Sequence, residues 1–194
     1  MTNITTLRPG EHFMFKNFEW GCLDPNHSDG GVLAIMAKPW ANNMKFYSGK
    51  ENEDERGNWN NYRTSLIREV LNDTLAGELA DNLLMHRVDL IADNGDRSYG
   101  TAAGQVFILT CDEYRKYRDF IPHYNSLVWT ATPWWCGDKN SNTGYGDSVR
   151  GVFTCGQLRN YNAYSSCAVA PACVLNPSAL NLRQSMAIVE EVSE

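Results

Sequence analysis

The sequence predicts an α+β fold. Three observations carry that reading: short runs of alternating apolar residues near the start, helical spacing confined to the middle, and a long stretch after Pro122 rich in Trp, Gly, Asn, Ser and Tyr. Segregated helices, short strands and long connections argue against a parallel layout in which strands and helices alternate. At 194 residues the chain is long enough to bury a core without disulfide staples. No internal repeat or linker divides it, so residues 1–177 read as a single domain and 178–194 as a polar-to-acidic C-terminal extension.

Each element has its own signal. In "EHFMFKNFEWGCLD" (11–24), Phe13 and Phe15 alternate, Lys16-Asn17 interrupts, and Phe18, Trp20 and Cys22 alternate again, which predicts two short strands. "GVLAIMA" (31–37) predicts a buried strand. The charge run "GKENEDERGN" between Trp40 and Trp59 reads as a solvated surface excursion. From Thr64 the period becomes helical: Leu66, Ile67, Val70 and Leu71 share a face, and Leu75, Leu79 and Leu83 continue as a second short helix after an "NDT" break. "QVFILT" (105–110) predicts a strand running into Thr110-Cys-Asp-Glu113, the pattern of a capping box that opens a helix over "DEYRKYRDF". Beyond Pro122 only "VRGVFT" (149–154) and "AVAPACVL" (168–175) look strand-like, and Pro171 makes the second an edge or irregular strand.

Composition excludes several functions. A formal charge of −6 and a pI near 5.2 disfavour nucleic acid, because phosphate binders need clustered Lys and Arg. Met1 to Gly10 lacks the apolar core of a secretory signal, and no run approaches the ~20 apolar residues of a membrane span. The expectation is a protein made in the cytoplasm without a signal peptide and without membrane insertion. Cys22, Cys111, Cys136, Cys155, Cys167 and Cys173 form no paired spacing and read as free thiols. No Gly-rich phosphate loop, G-x-S-x-G elbow or HExxH is present. His12, His27, His86 and His123 stand isolated and read as surface or core residues. Asp89, Asp93 and Asp96 lack the terminal Glu of a calcium loop, so that stretch reads as a turn with Asn94-Gly95 at its tip. No cofactor, metal or catalytic residue is expected.

Five segments in order, "NYRTSLIREVLN" (61–72), "VFILTCDEYRKYR" (106–118), "VWTATPWW" (128–135), "VRGVFTCGQL" (149–158) and "AVAPACVL" (168–175), resemble a domain family of unknown function from gut Firmicutes and their phages. Its pattern includes S-x-[IL]-R-x-x-L-N, a strand-into-helix VFLLS-x-x-E and a closing GV[RA]PA-x-x-L. The resemblance covers roughly residues 10–176. Ala170 stands where that family usually has Arg, and Trp59 lies farther from Ser65 than the family's tryptophan does. The resemblance implies a C-type-lectin-like fold, related to formylglycine-generating-enzyme-like folds, and a kinship with variable proteins of diversity-generating retroelements. In those proteins miscopied adenines turn AAY codons into nearly any residue except Met, Trp, Lys, Gln and Glu.

That code test selects a candidate ligand surface. "NYNAYSSCA" (160–168) contains none of the five unreachable types, and it supplies Asn160, Tyr161, Asn162, Tyr164, Ser165 and Ser166. Gln157 beside it reads as scaffold. In "PWWCGDKNSNTGYGDS" (133–148) the eligible positions are Cys136, Asp138, Asn140, Asn142, Tyr145 and Asp147, while Trp134 and Trp135 are fixed aromatic walls of the same site and Lys139 interrupts the pattern. Tyr, Ser, Gly and Asn are also the residues of antibody binding loops, where Tyr gives stiff contact area and the others adapt their hydrogen bonds.

The function this implies is a non-enzymatic ligand-binding protein, encoded by a phage or prophage, associated with the virion and acting in host attachment, as a monomer or homo-oligomer. Its partner is a protein or glycan on a host surface. The alternatives are a fixed-specificity glycan- or protein-binding module of a tail or cell surface, and an oxidase of the formylglycine-generating type using Cys136, Cys155 or Cys167, near which only Arg150 and Arg159 offer sequence-local positive charge.

Overall fold

The computed structural model describes residues 7–79, 82–137 and 146–178. They form an α+β structure of short, mostly antiparallel strands with two helical segments. The two predicted N-terminal strands are β1 (His12–Phe15) and β2 (Phe18–Asp24), joined by Lys16 and Asn17 at φ 49° and 67°. Two successive residues with positive φ make the turn whose twist suits a tight hairpin. β3 (Val32–Met36) is buried along its whole length. β4 (Ala41–Lys45), with the exposed Asn42 and Asn43, lies where the sequence looked like loop.

The two predicted helices are one continuous rod. α1 (Leu66–Val70), N-capped by the Ser65 hydroxyl, passes through a π turn (Leu71–Leu75) into α2 (Ala76–Leu79), so the expected break at "NDT" is absent. Ile67, Leu71, Leu75 and Leu79 are all fully buried. Residues spaced by four drift ~40° per step around an α-helix. The wider π turn takes back part of that drift and keeps the four side chains on one stripe.

β5 (Leu83–Leu84) follows, then a hairpin of β6 (His86–Asp89) and β7 (Thr101–Gly104) whose loop has Gly95 at φ 87°, in accord with the expected Asn94-Gly95 turn. The strand expected over 105–110 pairs only at β8 (Val106–Phe107), because β5 and β8 share one edge of the same partner strand. α3 (Cys111–Tyr117) opens with the capping box read from sequence: the Thr110 hydroxyl accepts from the Glu113 amide at 3.1 Å, and Glu113 Oε2 accepts from the Thr110 amide at 2.7 Å.

Among the described residues after Pro122 there are five strands: β9 (Val128–Pro133), β10 (Ser148–Val152), β11 (Leu158–Asn162), β12 (Ser166–Val169) and β13 (Ala172–Leu175). "AVAPACVL" is therefore two strands. Pro171 sits at the corner where the chain leaves one sheet for the other, and its carbonyl accepts from the Met36 amide at 2.9 Å. A residue without an N–H loses nothing at such a crossing. β13 lies inside the six-stranded sheet β1-β2-β3-β13-β5, to which β8 also adds; of the two readings that Pro171 allowed, the edge position is not found and the irregular, interrupted strand is. The second sheet runs β11-β10-β9-β12-β4 and is antiparallel except where β12 meets β9. One hydrophobic core joins both sheets and the helices, with Trp20, Phe46, Tyr62, Phe107 and Trp129 fully buried. Among the described residues no helix is long and apolar enough to cross a membrane.

Candidate binding surface

β11 and the turn that follows it present the second predicted stretch at the edge of the five-stranded sheet. The main chain does the anchoring. β11 pairs with β10 from Ser148–Asn162 through Val152–Leu158. The Ala163 amide donates to the Asp147 carbonyl at 2.7 Å, and the Ala163 carbonyl accepts from both Phe46 and Tyr47 amides at 3.0 and 2.9 Å. Ala163 itself is fully buried, as is Cys167 nearly so. Around these fixed points the side chains of Arg159, Asn160, Tyr161, Tyr164 and Ser166 are exposed, and Asn162 and Ser165 are half-buried.

The two predicted stretches meet at Asp147 and Ser148. Asp147 Oδ2 accepts from Asn162 Nδ2 at 2.9 Å, and the Trp134 amide donates to the carbonyl of Ser148, the ladder partner of Asn162. Trp134 and Trp135 are half-buried, with the Arg150 guanidinium 5.0 Å from the Trp134 ring centre. Trp135 lies so close over Gly137 that a Cβ there would collide with its ring. Trp129, by contrast, belongs to the core.

Cys136 does not join this surface. It is fully buried, and burial pushes its thiol up to about 12. Apolar surroundings disfavour the thiolate and leave no face for a ligand. Asp138, Asn140, Asn142 and Tyr145 lie outside the described residues.

The charge run that reads as a solvated excursion is instead a support for the Trp134–Gly137 backbone. Arg56 donates to the Cys136 carbonyl at 2.8 Å, Asn58 Nδ2 to the Gly137 carbonyl at 2.8 Å, and Asn60 Nδ2 to the Trp135 and Ser148 carbonyls at 2.9 Å each. Tyr99 ties the two asparagines together, donating to Asn60 Oδ1 at 2.6 Å and accepting from Asn58 Nδ2 at 2.8 Å. Asp54, also buried, accepts from the Arg56 and Asn58 amides and from Asn61 Nδ2, which sets the turn that aims these side chains inward. Buried polar groups persist only when paired in this way.

Aromatic rings flank the exposed turn. Tyr47 stacks on Trp59 at 4.6 Å, both donate to Glu53 at 3.0 Å, and Tyr164 approaches the Trp59 ring edge-on at 6.1 Å. On the other side Tyr161 meets Phe153 at 5.7 Å and Trp129 at 6.3 Å, and Arg159 lies over Phe153 at 4.9 Å. Phe153 and Trp129 also line a cleft of about 480 Å³ that runs to Tyr114, Arg118 and the exposed Cys155. No family model, curated protein or solved structure matches the chain.

Proposed function

We propose that the protein is a ligand-binding module of C-type-lectin-like fold that displays β11 and its turn as a variable surface, encoded by a phage or prophage and acting in host attachment. The observation that carries the reading is the division of labour at 158–166. The main chain holds the segment through the β10 ladder and Ala163, whereas the side chains of Arg159, Asn160, Tyr161, Tyr164 and Ser166 remain exposed at the sheet edge. Such positions accept substitution with little effect on the fold, usually within ~0.5 kcal/mol. Tyr161 and Tyr164 supply contact area of the kind that interfaces favour.

The oxidase alternative rests on Cys155 alone, the exposed one of its three cysteines, since Cys136 and Cys167 are buried and their thiols are pushed up to about 12. The test is to sequence the 3′ end of the gene across sibling isolates. Variation confined to adenines of a nearby template, concentrated at codons for Asn160, Tyr161, Tyr164 and Ser166 and sparing Ala163 and Gln157, is the expected result. An invariant 3′ end with no template overturns diversification and leaves the fixed-specificity binding module.

A further inference from the structure

A second cluster of functional groups lies where the loop between β2 and β3 meets the first residue of β6 and the first turn of α3. It shares no residue with the surface above. One ring nitrogen each of His27 and His86 and one carboxylate oxygen of Asp29 all fall within 4.8 Å of one another. Asp29 Oδ2 is the hub, 3.3 Å from His27 Nδ1 and 2.7 Å from His86 Nδ1. On the far side of the ring, His86 Nε2 lies 2.9 Å from Glu113 Oε1.

We propose that His27, Asp29 and His86 form a binding site for one divalent transition-metal ion of the zinc class. A tetrahedral ion with bonds of ~2.0–2.2 Å holds its ligand atoms ~3.3–3.6 Å apart. The His27–Asp29 separation of 3.3 Å already has that value, and the Asp29–His86 pair needs to open by only about 0.6–0.9 Å. Asp29 is exposed and can make that adjustment. The amide of Asp29 also lies 3.3 Å from His27 Nδ1, a long contact that yields readily to a metal.

The supports are those of a built site. His27 is fixed by its own turn, its amide donating to the Gly31 carbonyl at 3.0 Å and its carbonyl accepting from Gly30 at 2.9 Å. His86 is clamped by stacking on Phe107 at 4.1 Å. Glu113, held by the capping box, is placed to accept from His86 Nε2–H and so to turn Nδ1 toward the ion, the usual arrangement behind a metal-bound imidazole. Two imidazole nitrogens and one carboxylate oxygen select zinc and its neighbours over calcium or magnesium, which prefer oxygen alone. With three protein ligands, the fourth ligand of a tetrahedral ion would be water.

The experiment is calorimetric titration of the chelator-treated full chain with zinc chloride, repeated for His27→Ala, Asp29→Asn and Cys155→Ser, with thermal melting in each case. The expected result is one ion per chain, a rise in Tm with zinc, at least tenfold weaker binding in His27→Ala and Asp29→Asn, and unchanged binding in Cys155→Ser. Asp29→Asn keeps the size and shape of the side chain, and the thermal melt of each metal-free variant separates a loss of binding from a loss of folding. Absence of saturable binding to the folded wild-type chain overturns the proposal. So does binding that survives in His27→Ala and Asp29→Asn but disappears in Cys155→Ser, which would place the ion on the exposed thiol.

Discussion

Asn60 and Asn160 are the same side chain in opposite settings, and replacing each with Ala separates support from display. Asn60 is fully buried and makes at least three hydrogen bonds, to the Trp135 and Ser148 carbonyls and from the Tyr99 hydroxyl. Asn60→Ala takes the side-chain donor from the Trp135 carbonyl, leaves the Ser148 carbonyl with the Trp134 amide alone, and removes one of the two partners of the Tyr99 hydroxyl. Each buried group left unpaired costs ~1–3 kcal/mol, and the vacated volume adds to that. The expected loss is about 2–4 kcal/mol, a large share of the ~5–15 kcal/mol typical of a folded domain. Asn160→Ala, at an exposed strand position, should stay within ~0.5 kcal/mol. Urea denaturation with linear extrapolation measures both. Tyr99→Phe added to Asn60→Ala should cost less than the sum of the single changes, because the two groups share a bond. An Asn60→Ala loss below about 1 kcal/mol, or an Asn160→Ala loss above about 2, refutes the assignment of support to one and display to the other.

Three further outcomes follow from burial and capping. An aromatic disulfide reagent should label Cys155 alone in the native chain, since the other five thiols are buried, and all six in denaturant; rapid native labelling of a second thiol would contradict the structure. The Cys22, Cys136 and Cys167 thiols are pushed from the ordinary value of 9.0 up to about 12, chiefly by burial. Their raised folded values mean stability is intact below pH 9 and is lost as pH rises from 9 toward 12, by ~1.4 kcal/mol per pH unit per thiol. Because the unfolded thiols are only half ionised at pH 9, three of them give ~3 kcal/mol between pH 9 and 10, so urea midpoints that do not fall over that range would count against this burial. Thr110→Ala removes the capping box of α3 and should cost ~1 kcal/mol by the same denaturation assay, with Thr110→Ser restoring most of it.

What was legible in the sequence is what depends on neighbours along the chain. The alternation in 11–24, the turn at Lys16-Asn17 and the Thr110–Glu113 capping box are local patterns, and each appears where it is expected. β4 and β11 were not legible because they are edge strands: each has one neighbour in the sheet, so Asn42, Asn43, Arg159 and Asn160 face solvent and no apolar alternation is needed. β9 was missed for another reason, since its buried Thr130 and Thr132 are satisfied from distant chain, with the Thr130 hydroxyl donating to the Arg150 carbonyl at 2.7 Å and the Thr132 hydroxyl accepting from the Cys111 amide at 2.9 Å. The polar run 50–61 has the composition of a solvated loop, yet Asn58 and Asn60 bond to groups 75 to 88 residues away. No local periodicity records such a partner. The same holds for His86, whose contacts to Asp29 and Glu113 span 57 and 27 residues.

The candidate surface meets a condition that any diversified surface must satisfy. Typical single substitutions cost ~1 kcal/mol, so six unrestricted changes would remove ~6 kcal/mol from a domain that has ~5–15 to lose. Exposed, unpaired positions cost no more than ~0.5 kcal/mol each, and six of them stay near 3. The condition therefore selects among the residues that the genetic code leaves eligible. Asn160 and Ser166 satisfy it by exposure, while Tyr161 and Tyr164 satisfy it in part, exposed but with rings edge-on to Trp129, Phe153 and Trp59. Ala163, Cys136 and Cys167 fail it by burial: a larger side chain at Ala163 must displace the core beneath the turn, and a polar one at either cysteine loses its hydration without gaining a partner. Asn162 and Asp147 stand between, because each is the other's hydrogen-bond partner and a change at one leaves the other to water. Physical tolerance thus draws a narrower boundary than codon chemistry does, centred on the outward face of β11 and the turn at Tyr164.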